Sequence, residues 1–268
     1  MINEDLLLDY YEKGWELGLL DLCDDKKFSR SLFKFRLLSV IDLFKLSDQR
    51  TYHILDIACG VGTTSFLIAR KFRNTEFCCI DISRKQVAAG QEYVRSIGTD
   101  GRFEFLVGDV CQPIRTSRNE FDYIICCEIL EHLQDPDKLL RNVRRYGSES
   151  TKYIFSVPHG QSTNNDICYR VIQEDGKSIV INDPAKLDED KKYYEFYHKS
   201  YSIDEAVKLF SKSGYEILNL VGAHFLASSS LAYYVNRLTH FSYAFDKYVN
   251  KITLNKFAGD IIFLCKKV

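Results

Sequence analysis

From residue 53 onward the chain alternates short apolar runs with longer stretches whose apolar positions recur at helical spacing. Runs at 53–57, 76–80, 103–107, 121–127 and 152–157 read as strands, and 64–72, 84–97 and 136–146 read as helices, with a short helical piece at 113–116. Strands apolar along their whole length belong in a sheet buried on both faces, so the rhythm predicts a doubly wound α/β fold with a mainly parallel sheet. Ligands on such sheets bind outside the carboxyl ends of the strands. Each strand-end residue is therefore a site candidate.

Two helices, over 6–20 and 30–44, precede the first strand; in the second, Leu32, Phe35, Arg36, Leu38, Ser39 and Asp42 alternate apolar and polar at helical spacing. They are expected over the ligand-binding end or behind the sheet, with Trp15 as an anchor. After Pro158 the rhythm breaks. Residues 159–201 make a polar insertion with a charged run at 188–192 and with Tyr193, Tyr194, Tyr197 and Tyr201. It is too short and polar to bury its own core and is expected to lie over the site. Ser202 and Glu205 have capping-box spacing and open a helix that ends near Ser213 with Gly214 behind it. Strands at 215–221 and 260–265 form a final antiparallel pair. Between them, 231–252 carries an apolar stripe including Tyr234, Phe241 and Phe245, which needs a surface to cover it: the acceptor-pocket wall or a second subunit of a homodimer. The chain thus divides into an N-terminal helical cap (1–50), a core (51–158), the insertion (159–201) and a C-terminal part with a substrate-shaping helix (202–268).

The first strand runs through Asp56 into Ala58-Cys59-Gly60-Val61-Gly62, a tight glycine turn before a helix start, a layout that turns backbone N–H groups toward a ligand. It is not the dinucleotide fingerprint, because Ser65 stands where the third glycine would be. The second strand ends in Asp81-Ile82, where a carboxylate can accept from both hydroxyls of a ribose or cap the next helix. The third ends in Gly108-Asp109-Val110 and suits an adenine amino group and ring nitrogen. The fourth runs through Cys127 and Glu128 into Glu131, His132, Asp135 and Pro136. Glu128, Glu131 and His132 stand at i, i+3 and i+4, which on a helical turn would put three proton handlers or metal ligands on one face. His132, His159, His198 and His224 are candidate general bases.

A length of 268 residues is ample for a buried core, and 46% hydrophobic with 27% charged residues fits a globular protein. The formal net charge of −1 provides no basic field for nucleic acid. Nine cysteines, an acidic start without a secretory apolar stretch, and adjacent pairs at Cys78-Cys79 and Cys126-Cys127 on strands point to reduced thiols in a cytoplasmic protein. No apolar run reaches the roughly 20 residues of a membrane span.

Taken together, Asp56 to Gly62, Asp81, Gly108-Asp109 and the Glu-x-x-Glu-His-Leu-x-Asp-Pro segment resemble class I S-adenosylmethionine-dependent methyltransferases, in particular the ubiquinone-type small-molecule O-methyltransferases. The resemblance implies a Rossmann-like seven-stranded sheet, mostly parallel with a final antiparallel strand, and S-adenosyl-L-methionine as cofactor. It places the methionine part at Asp56, Ala58, Cys59, Gly60 and Gly62, the ribose at Asp81 beside Ile82, the adenine at Asp109 and Val110, and the amino-acid end near Cys127 and Glu128. Transfer to a hydroxyl of a small molecule, with His132 or His159 as base, is the expected function. Nitrogen or carbon acceptors are alternatives. So is RNA 3′-terminal 2′-O-methylation with a metal on Glu128, Glu131, His132 and His198; a scaffold that has lost its chemistry is the remaining one.

Overall fold

The computed structural model describes residues 34–160, 198–223 and 258–268, the strand backbones of 167–172, 178–181 and 193–197, and the isolated Leu20 and Cys23. Most of the helix expected over 6–20, Trp15, His224 and the stripe at 231–252 lie outside the described residues. The element order is α1 (Lys34–Asp42), β1 (Tyr52–Ile57), α2 (Thr63–Lys71), β2 (Thr75–Asp81), α3 (Arg84–Ser96), β3 (Phe103–Val107), β4 (Tyr123–Cys127), α4 (Pro136–Val143), β5 (Lys152–Pro158), β6 (Ile167–Ile172), β7 (Ser178–Ile181), β8 (Tyr193–Tyr197), α5 (Ile203–Lys212), β9 (Tyr215–Ala223) and β10 (Asp260–Lys267).

Seven strands form one sheet in the order β3-β2-β1-β4-β5-β10-β9. β1 pairs in parallel with β2 on one side and β4 on the other, Ile54 lying beside both Phe77 and Tyr123. β10 runs antiparallel to both β5 and β9 and is the single reversed strand of the sheet. The order reverses between β1 and β4, so the connections leaving these strands diverge to opposite faces and open a crevice at their carboxyl ends.

Alternation along the strands sends apolar side chains to both faces, and each face has its own core. One gathers Leu55, Ile57, Ile80, Ile124, Phe155 and Phe263 beneath α4 and α5, which contribute Leu139, Leu140, Val143, Ala206 and Phe210. The other gathers Ile54, Phe77, Ile125, Ile154 and Ile262 beneath α1, α2 and α3, with Val40, Ile41, Phe66, Leu67, Val87 and Val94. The paired cysteines obey the same alternation: Cys78 and Cys126 enter the first core, while Cys79 enters the second and Cys127 packs against it. The described cysteines are free thiols.

Local chemistry sets the helix boundaries. Ser83 Oγ accepts from Gln86 N and caps α3, while Asp135 does the same for α4 toward Lys138 N, with Pro136 in the first turn. Both hydrogen bonds of the Ser202–Glu205 capping box are formed at α5.

Three local expectations need correction. Residues 113–116 are not helical; the Ile114 backbone is instead held by the Tyr146 hydroxyl, which accepts from its N–H and donates to its carbonyl. The fourth strand starts at Tyr123 and not at 121, because Asp122 turns aside to accept from Arg50 and from the His53 N–H. The insertion, in which no strand was expected, contains a three-stranded antiparallel sheet in the order β7-β6-β8. Its third strand, β8, reads Tyr-Tyr-Glu-Phe-Tyr and carries no alternation that would mark it as a half-buried strand.

Candidate active site

At the carboxyl edge of β1 the chain enters a left-handed conformation at Ala58, with φ of 55°, and again at Gly60 and Gly62. A side chain at position 62 would also meet the Phe66 ring at 2.9 Å, so glycine is required there on both counts. The turn is held by hydrogen bonds from Cys59 N to the Ile80 carbonyl (3.0 Å) and from Gly60 N to Asp81 Oδ2 (2.8 Å). Glu128, just beyond β4, has the same φ of 55°. Two non-glycine residues in this sparsely populated region thus flank the switch point, a pattern of backbone strain that clusters at functional sites.

Asp81 connects these pieces. Its Oδ1 accepts from Ser83 N at 2.9 Å and its carbonyl from Gly108 N at 2.9 Å, so one residue ties the glycine turn, the start of α3 and the end of β3. Ser83 and not Asp81 caps α3, so the N-cap role that the sequence left open for Asp81 falls to its neighbour. Asp109 closes a local turn by accepting from Cys111 N at 2.8 Å. Asn142 of α4 donates to the Val110 and Gln112 carbonyls and fixes the following loop.

A cavity of about 150 Å³ joins these strand ends. Of the residues expected from the sequence, Ala58, Asp81, Ile82, Asp109, Val110, Glu128 and His132 line it, and the structure adds Gln86, Cys111, Ile129 and Leu133. Clefts of about 210 and 390 Å³ elsewhere are larger, but neither is lined by any of the expected strand-end acids. Cys59, Gly60 and Gly62 form the turn beside the cavity, and Cys127 ends β4 below it.

Asp56 is only 3% exposed and accepts from Ser65 Oγ at 2.6 Å. Burial lifts its carboxyl from 3.8 to about 7, the Ser65 hydrogen bond opposes the rise and the nearby Asp81 adds to it. The folded protein therefore keeps a proton that the unfolded chain gives up near 3.8. Stability falls as pH rises through the interval from 3.8 to about 7 and levels off above it. Asp56→Asn is expected to flatten this slope, as read from urea midpoints at acidic and neutral pH; an undiminished slope would place its origin elsewhere.

The segment after β4 does not form the expected three-ligand face. Glu128 lies outside the single 3₁₀ turn Leu130–His132, and its left-handed backbone means that the three do not share a helical turn. Glu128 accepts from Arg36 Nη1 at 2.7 Å and from Ser156 Oγ at 2.8 Å. Glu131 is 2% exposed, and burial and the adjacent Glu128 push its carboxyl well above the usual range. His132 reaches the cavity and meets the His198 ring edge-on, with centroids 5.4 Å apart. Among the described residues no three His, Cys, Asp or Glu side chains are placed to hold a metal ion, so Glu128, Glu131, His132 and His198 do not fit that role together.

His159 is placed differently. Its Nδ1 lies 2.9 Å from the Ala258 carbonyl and its N–H donates to the Gly259 carbonyl. A carbonyl only accepts, so Nδ1 carries the proton and Nε2 is left with a lone pair when the ring is neutral.

Arg36 is the residue for which the sequence gave no functional signal. It sits on the polar side of α1, partly buried, 2.7 Å from Glu128 and 3.6 Å from Asp260 of β10. These carboxylates hold its guanidinium above the usual value although burial opposes them. The helical spacing around Arg36 gave only its face, because the acids it meets are 92 and 224 positions away.

Residues 55–148 match the methyltransferase domain family. The chain is 31% identical over 113 residues to the ajmaline N-methyltransferase of Rauvolfia serpentina, covering 42% of this chain and 38% of that protein. It is 24% identical over 176 residues to a ubiquinone biosynthesis O-methyltransferase of Coxiella burnetii, covering 65% of this chain and 67% of the relative. The chain spans about two fifths of the length of the two Rauvolfia N-methyltransferases it matches. The fold is shared with an S-adenosylmethionine-dependent methyltransferase of Clostridium acetobutylicum at TM-score 0.53 and 16% identity, over 88% of this chain and 90% of that one. Residues 55–148 thus match a methyltransferase domain, and the fold around them is one that S-adenosylmethionine-dependent methyltransferases also have. Among the described residues no helix is long and apolar enough to cross a membrane.

Proposed function

We propose that this chain transfers a methyl group from S-adenosylmethionine to a small-molecule hydroxyl, with His132 as general base. The observation that carries the reading is the position of His132, on the wall of the same cavity that Asp81, Asp109 and Glu128 line. Bound S-adenosylmethionine supplies an electrophilic methyl on a sulfonium. Asp81 accepts from the ribose, Asp109 and the Val110 backbone face the adenine, and the turn around Asp56, Cys59, Gly60 and Gly62 with Cys127 and Glu128 receives the methionine end. A neutral His132 imidazole takes the hydroxyl proton as the acceptor oxygen bonds to the methyl carbon and the carbon–sulfur bond breaks. His159, with Nε2 available, is the second base. A small acceptor suits the near-neutral chain, and the free thiols suit the cytoplasm.

His132→Ala is expected to lower kcat by about 10²–10⁴-fold with little change in S-adenosylhomocysteine affinity. Radiolabelled methyl transfer to a panel of phenols, alcohols and amines, paired with calorimetry, reads both quantities. The 31% identity to an N-methyltransferase supports a second reading, an amine acceptor. Full activity in both His132→Ala and His159→Ala would select it, since a neutral amine attacks without prior deprotonation.

A further inference from the structure

We infer that His198 is a positioning residue for His132: its ring, set edge-on against the His132 imidazole, holds that imidazole facing the cavity. This rests on the reading of His132 as the base and adds the part that aims it. The need for such a part is local. His132 ends a single 3₁₀ turn with its side chain 25% exposed, and so short a turn does little to fix the direction of a side chain. The neighbouring Glu131 Oε1 stands 3.9 Å from His132 Nε2, beyond hydrogen-bond distance. His198 does make contact, its ring plane at 67° to that of His132 and the centroids 5.4 Å apart, an edge-to-face arrangement that aromatic rings favour. His198 does not itself line the cavity, so it acts through His132.

The segment that carries His198 is fixed to the same turn. Lys199 N donates to the Glu131 carbonyl at 2.9 Å, and the hydroxyl of the buried Tyr201 donates to the Leu130 carbonyl at 3.1 Å. Tyr201 N donates to the Pro158 carbonyl at 2.9 Å and its own carbonyl accepts from Gly160 N at 3.2 Å, which ties the segment to the end of β5. Lys199 Nζ lies 3.4 Å from Glu205 Oε1, and Ser202 caps α5 directly behind. Residues 198–201 therefore hold the backbone of the His132 turn and the plane of its ring at once. A base acts only within hydrogen-bond reach of the proton it takes, so the direction of this ring decides whether His132 can serve. His198 also directly follows β8, which makes the end of the insertion the element that sets the base.

The test follows acylation of His132 by diethyl pyrocarbonate, read by peptide mass spectrometry, in the wild type, His198→Ala and His198→Phe. Each protein is treated with and without S-adenosylhomocysteine at about ten times its own Kd, measured by calorimetry, so that about one molecule in eleven stays ligand-free. The ratio of the two rates cancels any change in intrinsic reactivity, and His53, at the opposite edge of the sheet, is the internal reference. In the wild type the ligand is expected to slow acylation of His132 about tenfold, because only the ligand-free fraction reacts at a ring that faces the cavity. In His198→Ala the ring can turn outward, and the protection is expected to fall below about twofold. His198→Phe keeps a ring at the contact and is expected to restore it. His198→Gln replaces the alanine variant if that one fails to fold. Undiminished protection in His198→Ala, or a phenylalanine variant as unprotected as the alanine one, would overturn the inference and leave His132 as the base. A wild-type His132 that acylates equally fast with the ligand bound would overturn the base reading and this inference with it, and a wild type that does not bind S-adenosylhomocysteine would overturn the methyltransferase reading beneath both.

Discussion

Asp81→Ala is expected to abolish measurable S-adenosylhomocysteine binding, a loss of about a hundredfold or more, and to lower stability by about 2–4 kcal/mol. Two effects combine. The Gly60 and Ser83 N–H groups, at 2.8 and 2.9 Å from the carboxylate, are left without an acceptor in a buried place. Each costs about 1–3 kcal/mol when unsatisfied, and the glycine turn loses the contact that holds it against β2. The ribose loses its charged acceptor at the same time. Asp81→Asn separates the two, because one amide oxygen can keep a backbone N–H while the amide nitrogen opposes the other. It should recover part of the stability and little of the affinity. Calorimetry with S-adenosylhomocysteine and urea unfolding of both variants give the numbers. Binding within threefold of wild type in the alanine variant would remove Asp81 from the cofactor site.

Arg36→Met should destabilise the fold by about 3–5 kcal/mol at neutral pH. Methionine fills much of the space of the arginine stem, so the loss is mainly electrostatic. Glu128 and Asp260, with side chains 23% and 10% exposed, would face each other and the buried Glu131 without the guanidinium. Their carboxylates would then hold protons more tightly in the folded state than in the unfolded chain. By linkage, the deficit relative to wild type is small near pH 4 and grows as pH rises through the carboxylate range. Urea midpoints across that range test this, and a pH-independent deficit would show that lost packing dominates. A second-site Glu128→Gln, which removes one of the two facing charges, should restore part of the stability at neutral pH and leave the acidic values unchanged.

Much of the fold was legible because its signals are local. Apolar runs such as 76–80 and the cap at Ser202 place strands and helices whatever surrounds them, and the alternation that separates Cys78 from Cys79 follows from strand geometry alone. The strand-end acids were readable for the same reason, since a parallel sheet sends each of them to one edge. What the sequence concealed depends on distant partners or on backbone dihedrals. The spacing of Glu128, Glu131 and His132 suggests one helical face only if Glu128 is helical, and its positive φ breaks that premise. The insertion hid its strands because they are short, lie among polar residues and, as in the Tyr-Tyr-Glu-Phe-Tyr of β8, do not alternate.

The position of β10 bears on how the protein is made. Residues 260–267 lie between β5 and β9 and pair with both, Phe263 beside Phe155 and Leu220. During synthesis, β1 to β5 can pair as they emerge, but the hydrogen-bonding edge of β5 has no partner until some hundred further residues have been added. For that interval the nascent chain exposes an apolar strand edge, the kind of surface that pairs with other chains and that chaperones shield. Closure of so distant a pairing is slow on entropic grounds, so the ribosome-bound chain passes through a long vulnerable stage that the finished protein no longer displays.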